Sequence, residues 1–224
     1  MATSGGVDRT HGASTAQRVS FALLHLVSLG LAGWLAFAGP LPDPARGQAV
    51  FAVAVLYALR QLLALFVFLK RRITWSEALG LSVFLAVIEI GLVAAGGGLL
   101  GGAPRGAGWA DAAALALVVA GTVLGTGSEF QRWLWKRDPA HAGHCYTGGM
   151  FAWSMHINYF GETLMFTGWA LLTGRPWALL LPLFIALSFV FYHIPALDAY
   201  LAGRYGKEFE DWRARTARFV PFLY

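Results

Sequence analysis

Asn158 and Glu162 stand four residues apart in the stretch His156-Ile-Asn-Tyr-Phe-Gly-Glu162, so a helix there carries an amide and a carboxylate on one face. Ser154 extends the ladder one turn back. The surroundings are apolar and aromatic, and a carboxylate near a bilayer centre costs roughly 2.5–3.5 kcal/mol. A bound polar ligand would offset that cost; hydrogen bonds between helices are the plainer alternative. A second group is Glu129-Phe-Gln-Arg132, followed by Lys136 and Arg137. Its bases suit a phosphate, arginine through its planar fork, while Glu129 can accept from a ribose hydroxyl or an amide. Here the plainer reading is a helix end whose long side chains reach for water. Tyr57 and Arg60 lie one turn apart, and a nearby cation favours the phenolate and eases proton donation. Glu89, in the next apolar segment, is expected to pair with Arg60 or to serve as an acid. A fourth group is His193, Asp198, Tyr200, Arg204 and Tyr205, where most charges fit a solvated face. His141, His144 and Cys145 lack a fourth partner and match no zinc spacing, so no metal site is expected.

These groups must be positioned by membrane helices. The chain is 57% hydrophobic and only 13% charged, which describes an integral membrane protein and excludes a soluble domain of its 224 residues. Six segments approach the length needed to cross ~30 Å of hydrocarbon: about 19–38, 49–69, 78–96, 110–127, 150–172 and 178–192. Prolines 40, 42 and 44 break the chain after the first, and a Gly-rich run from Gly96 to Gly108 separates the third from the fourth. Gly174-Arg-Pro176 predicts a tight turn and an antiparallel hairpin. His193-Ile-Pro195 predicts the end of the sixth helix or a kink in it, because proline removes a backbone donor. Beyond it, Leu197, Leu201, Phe209 and Trp212 recur among charges, as in a short amphipathic helix at the interface, with Gly206 as a helix stop. The expected architecture is therefore all-α, with about six transmembrane helices and an interfacial C-terminal helix. It comprises a polar tail (1–17), a lipophilic substrate region (18–127) and a cofactor-binding region (128–224). The tail lacks the order of a cleavable signal.

Arg9, Arg18, Lys70, Arg71, Arg72, Arg132, Lys136, Arg137 and the bases from Arg204 onward all fall on one side of this arrangement, against Arg46, Arg105 and Arg175 on the other. Loop bases mark the cytoplasmic side, so both termini are expected there. The net charge of +5 is explained by this orientation, and no nucleic-acid partner is expected.

From about Gly125 to Tyr224 the chain resembles the C-terminal half of the steroid 5α-reductase superfamily, sterol double-bond reductases included. The resemblance is carried by Ser128-Glu129-Phe130, Gly148-Gly149-Met150-Phe151, Asn158-Tyr-Phe-Gly-Glu162, Phe209-Glu-Asp-Trp212 and Val220-Pro-Phe-Leu-Tyr224. It is looser across His193, Asp198, Tyr200, Tyr205 and Gly206. It implies a membrane reductase with a cytoplasmic NADPH pocket contacted by Glu129, Asn158 and Glu162, with Lys136 on a phosphate and His193, Asp198, Arg204 and Tyr205 from the tail. Tyr57-x-x-Arg60 is similar to the Tyr-x-x-Arg whose tyrosine protonates a substrate carbonyl oxygen. Two departures stand out: the acidic partner expected from a helix before that tyrosine has no counterpart, leaving Glu89, further along the chain, as the substitute in view, and an expected asparagine is Gly125. The implied reaction is reduction of an activated C=C bond in a lipophilic, bilayer-borne substrate. The alternative is an S-adenosylmethionine-dependent methyltransferase of the isoprenylcysteine or phospholipid type. Its Arg-His-Pro motif is answered here by Met155-His-Ile157. A third reading is a lipid-binding scaffold with a relic pocket.

Overall fold

The computed structural model describes residues 3–4, 7–101 and 106–223, so Arg105, the middle of the Gly-rich connector and Tyr224 lie outside the described residues. Six long helices follow one another: α1 (Thr15–Ala38), α2 (Pro44–Phe68), α3 (Trp75–Gly96), α4 (Trp109–Trp135), α5 (Ile157–Leu172) and α6 (Pro176–Tyr205). A short α7 (Lys207–Arg213) closes the series. Local chemistry sets several ends. Asp43 accepts from the Arg46 amide ahead of Pro44, and Thr74 accepts from the Glu77 amide, each capping a helix start. Gly174, at φ +70°, makes the expected turn between α5 and α6, and Gly206 stops α6 at φ +54°.

Among the described residues, five helices are long and apolar enough to cross a membrane. α5, with 16 residues, spans about 24 Å at 1.5 Å per residue. Trp34, Phe37, Val83, Val87 and Leu180 point outward from the bundle. Such a surface is stable only against lipid, so the chain is an all-α, multi-pass integral membrane protein.

Three boundaries differ from expectation. α4 runs on to Trp135, carrying Glu129 and Arg132 within a helix. α5 starts at Ile157, not near residue 150, so Ser154 precedes the helix and is not a member of its polar stripe. α6 continues through Pro195, because a π-helical turn at Phe189–His193 shifts the backbone pairing just before the proline. Similar π turns at Ala64–Phe68 and Val123–Gly127 interrupt α2 and α4.

The tightest helix contact is α4 against α5. A Cβ on Gly121 would lie 2.4 Å from the Met165 amide nitrogen, one on Gly161 would lie 2.3 Å from the Gly125 nitrogen, and one on Gly168 would lie 2.4 Å from the Ala114 oxygen. Small residues at these positions let the two backbones touch, the usual basis of close packing in lipid. At the end remote from the chain termini, Arg46 bonds Asp111 at 2.9 Å and the Leu172 carbonyl at 2.8 Å, while Arg175 donates to the carbonyls of Ala95 and Gly101. The described terminal segments meet at the opposite end: Arg9 sits 5.0 Å from the Tyr200 ring.

Candidate active site

The α4–α5 contact brings Arg60, Glu129, Asn158 and Glu162 together. Arg60 projects from α2 at only 8% exposure, donates from Nε to Thr126 Oγ1 at 2.6 Å, and pairs with Glu162. Glu129 accepts from Asn158 Nδ2 at 2.9 Å and from Arg132. Arg60, Gln61, Ala64, Phe68, Gly125, Thr126, Glu129 and Glu162 line a cavity of about 50 Å³, in which three charged side chains meet an apolar wall. Gly125 is integral to it: a Cβ there would lie 2.8 Å from Arg60 Nη2 and 3.4 Å from Glu162 Oε1. Gly125 therefore leaves the space in which Arg60 reaches Glu162.

A second cavity, about 170 Å³ and mostly apolar, lies between α1, α2 and α3. Phe21, Leu65, Leu69, Ile73, Ala78 and Leu81 line it, with Arg71 and Glu77 also in its wall. Gln61 and Ala64 line both cavities and so form the partition between them. Arg18 donates to the carbonyls of Leu65, Leu69 and Arg71, and Ser14 Oγ accepts from the Ile73 amide, so hydrogen bonds secure one end of this cavity's wall.

Tyr57 is buried at 4% exposure beside Phe166, Trp169 and His25, and its hydroxyl accepts from Gln61 Nε2. Gln61 thus stands between the tyrosine and both cavities. It was missed in the sequence, although it lies one turn beyond Tyr57 on the same face. Glu89 does not pair with Arg60. It is fully buried, bonded to His25 Nε2 at 2.6 Å and to Ser28 Oγ at 2.7 Å. Helix adjacency in sequence favoured Glu89, but the glycine contact carries Glu162 to Arg60 first. His25 is the second residue not foreseen; its ring lies 6.4 Å from that of Tyr57.

The tail residues divide. Lys136 Nζ lies 3.3 Å from the Tyr205 hydroxyl, and Arg204 donates to the Tyr200 hydroxyl at 2.6 Å. Glu129, Arg132 and Lys136 follow i, i+3, i+7 spacing, so one stripe leads from the first cavity to Tyr205. His193 instead packs its ring against Phe189 and Tyr192. Asp198 is committed elsewhere: His156 Nε2 lies 2.7 Å from one oxygen and Arg218 Nε donates to the other at 2.9 Å. This clamp joins α6, the start of α5 and the C-terminal segment. The same segment accepts from Met155 at the Ala217 carbonyl and from Ser154 at the Phe219 carbonyl. Asp198 therefore reads as a positioning residue. Asp198→Ala strands the buried His156 and is expected to cost about 2–3 kcal/mol. Faster amide exchange in residues 153–156 and 217–222 checks this.

The loop histidines do not converge. His141 stacks on Trp135 at 4.0 Å, and His144 faces Glu208 at 3.5 Å. Among the described residues no group of three or more His, Cys, Asp or Glu is placed to hold a metal ion. Burial, then the Glu208 carboxylate, pushes the Cys145 thiol up to about 11, which leaves it unreactive near neutrality.

The donor set fits the dinucleotide that the resemblance implies. Glu129 and Glu162 would accept from hydroxyls or a carboxamide, Asn158 would offer an amide, and Lys136 and Arg204 carry the charge that a phosphate would need. A cavity of this size takes one small polar group. Residues 83–216 match a family model described as a protein of unknown function, DUF1295. No curated protein matches the chain.

Proposed function

The chain belongs to the DUF1295 family, which is steroid 5α-reductase-like, and from that premise we propose that it is a membrane oxidoreductase. It reduces an activated C=C bond of a lipophilic substrate with NADPH. The observation that carries this reading is a small cavity bearing the charges of Arg60, Glu129 and Glu162 beside a larger apolar cavity without them, Gln61 and Ala64 lining both. One side suits a polar cofactor and the other a hydrocarbon.

When bound, NADPH supplies a hydride. Glu129, held by Asn158 and Arg132, accepts from cofactor hydroxyl or amide groups, and Glu162 keeps the Arg60 guanidinium at the wall of the cleft. The substrate's apolar body lies against Phe21, Leu65 and Ala78, and its carbonyl replaces the amide of Gln61 at the Tyr57 hydroxyl. Tyr57 then donates to the carbonyl oxygen as negative charge develops there, and Arg60, 5.9 Å from the ring, favours the resulting charge. The buried aromatic packing around Tyr57 excludes water from that proton. Lipid access, the basic inner face and both termini in the cytoplasm complete the reading. The methyltransferase alternative needs a charged group where Met155 stands, and Met155 is buried in the core beneath the tail, which supports the reductase reading.

Thermal stability of the detergent-purified protein tests the cofactor, because a ligand of the native state raises stability by mass action. NADPH should raise the melting temperature and S-adenosylmethionine should not; the reverse overturns the proposal. A response to neither supports the scaffold reading. Tyr57→Phe should keep the NADPH response and lower turnover of a long-chain 2-enone by about 100-fold. Undiminished turnover removes Tyr57 from the mechanism.

A further inference from the structure

The apolar cavity between α1, α2 and α3 carries charge at one end. Arg71 and Glu77 are the charged side chains in its wall, and they pair through both carboxylate oxygens, with Arg71 Nη1 2.9 Å from Glu77 Oε2. The two side chains are only 22% and 18% exposed. The backbone that carries them is held in place. Arg18 donates to the carbonyls of Leu65, Leu69 and Arg71, the Ile73 amide donates to Ser14 Oγ at 3.2 Å, and Thr74 caps the helical turn of Glu77. Exposed Lys70, Arg72 and Trp75 border this end and mark the level of the water–lipid boundary.

Gln61, bonded to the Tyr57 hydroxyl, lies at the other end of the same cavity. It is eight residues before Leu69, which places the two ends about 12 Å apart at 1.5 Å per residue. Phe21, Leu65, Ala78 and Leu81 form the wall between them. A molecule that fills this space meets hydrocarbon along its length and hydrogen-bonding groups at its two tips.

The outer tip selects by chemistry. A carboxylate has about four lone-pair positions, and the two bonds from Arg71 leave Glu77 able to accept from a further donor without breaking the pair. The pair is neutral as a whole, so a charged head would shed its water and gain no net opposite charge. A methyl end would shield the pair from water and return no hydrogen bond. A hydroxyl fits, because it donates to an ionised acceptor, one of the stronger kinds of hydrogen bond.

We propose that Arg71 and Glu77 form a head-group subsite, and that the substrate is a neutral amphiphile bearing a hydroxyl about 12 Å from its conjugated carbonyl. It stands with the hydroxyl at the membrane surface and the reducible bond in the interior. This rests on the reductase reading above and adds to it the class of substrate and the pair that selects it.

The test is a series of enones of equal length, ending about 12 Å from the carbonyl in a methyl, a hydroxyl or a carboxylate. Each is assayed by NADPH consumption with the detergent-purified protein. The hydroxyl-ended enone should have a KM about tenfold below the other two at similar kcat, because the end group lies far from the reacting atoms. Glu77→Gln, which keeps an acceptor without its charge, should reduce the advantage to about threefold. Arg71→Met combined with Glu77→Met leaves an apolar wall and should bring the hydroxyl and methyl ends within about twofold, while the melting temperature still responds to NADPH. Equal KM values for these two ends in the wild type, or an advantage that survives the double variant, overturn the subsite and leave the reductase reading standing. Tighter binding of the carboxylate-ended enone assigns an anionic head and overturns the neutral class. Reduction of none of the three by a protein that NADPH stabilises overturns the assignment of this cavity to the substrate. No response to NADPH in either measurement overturns the reductase reading and the subsite together.

Discussion

Gly161→Leu is expected to leave little folded protein, whereas Gly80→Leu should melt close to the wild type. Both glycines lie within long helices, where leucine is intrinsically the better helix former by several tenths of a kcal/mol. The difference is what the new side chain meets. At Gly80 nothing lies within 4 Å of the added carbon. At Gly161 the first carbon alone would fall 2.3 Å from the Gly125 nitrogen and 2.8 Å from the Gly121 oxygen. These are backbone atoms of another helix and cannot rotate aside as a flexible side chain can. Overpacking against movable side chains costs about 1–3 kcal/mol, so a clash that must push one helix away from the other should exceed about 4 kcal/mol. The effect reaches the site, because this contact holds Asn158 and Glu162 of α5 beside Glu129 of α4. Monodispersity on gel filtration and the melting temperature check the pair. If Gly161→Leu melts like the wild type, the glycine contact does not hold the cavity together.

The apolar segments were legible because lipid demands long hydrophobic runs, and no soluble alternative satisfies the backbone. Their ends were less so. Hydropathy stops α4 near Gly127, where charges begin, yet the helix continues to Trp135, since Glu129 and Arg132 satisfy each other on its surface. Ser154 looked like the first rung of a ladder because spacing was counted on a helix that had not started. Its hydroxyl serves the Phe219 carbonyl 65 residues away, a contact that no local pattern encodes. Pro195 looked like a helix stop or a kink because proline removes a donor; the helix does not stop there, since a π turn just before it has already displaced the bonding. Asn158, Glu162 and Glu129 were readable by type and spacing, and they share one cluster. The partner of Arg60 was not, since neighbouring segments suggested Glu89 and the actual neighbour is set by Gly121, Gly125 and Gly161. Those glycines were visible, but read singly a glycine says only that a side chain is absent. Their common face across two helices is the signal that was left unused. Gln61 was hidden differently: an uncharged amide one turn past Tyr57 draws no notice until its place in the wall between two cavities is seen.

Arg60→Met should destabilise the protein by about 2–3 kcal/mol, while Arg60→Met combined with Glu162→Met should recover most of that stability and still lack a response to NADPH. Breaking a buried ion pair on one side leaves a charge with no partner, which costs about 3–5 kcal/mol in a dry interior. The Glu162 side chain retains 24% exposure and lines a cavity, so water reduces the penalty towards the lower figure. Removing both charges is a different operation. Two methionines are apolar, long and flexible enough to fill the space, and replacement of a whole pair by apolar groups is often neutral or better. The coupling between the two changes should therefore be about 2 kcal/mol in favour of the double variant. Melting temperatures of the four proteins, each with and without NADPH, separate the two roles. Stability follows the balance of charge, and ligand response follows the chemistry of the cavity, so the double variant should score well on the first and fail on the second. If it is as unstable as Arg60→Met alone, Glu162 is not what balances Arg60. If it still gains stability from NADPH, the cofactor lies elsewhere, and the cavity between α2, α4 and α5 holds helices together without a role in the reaction.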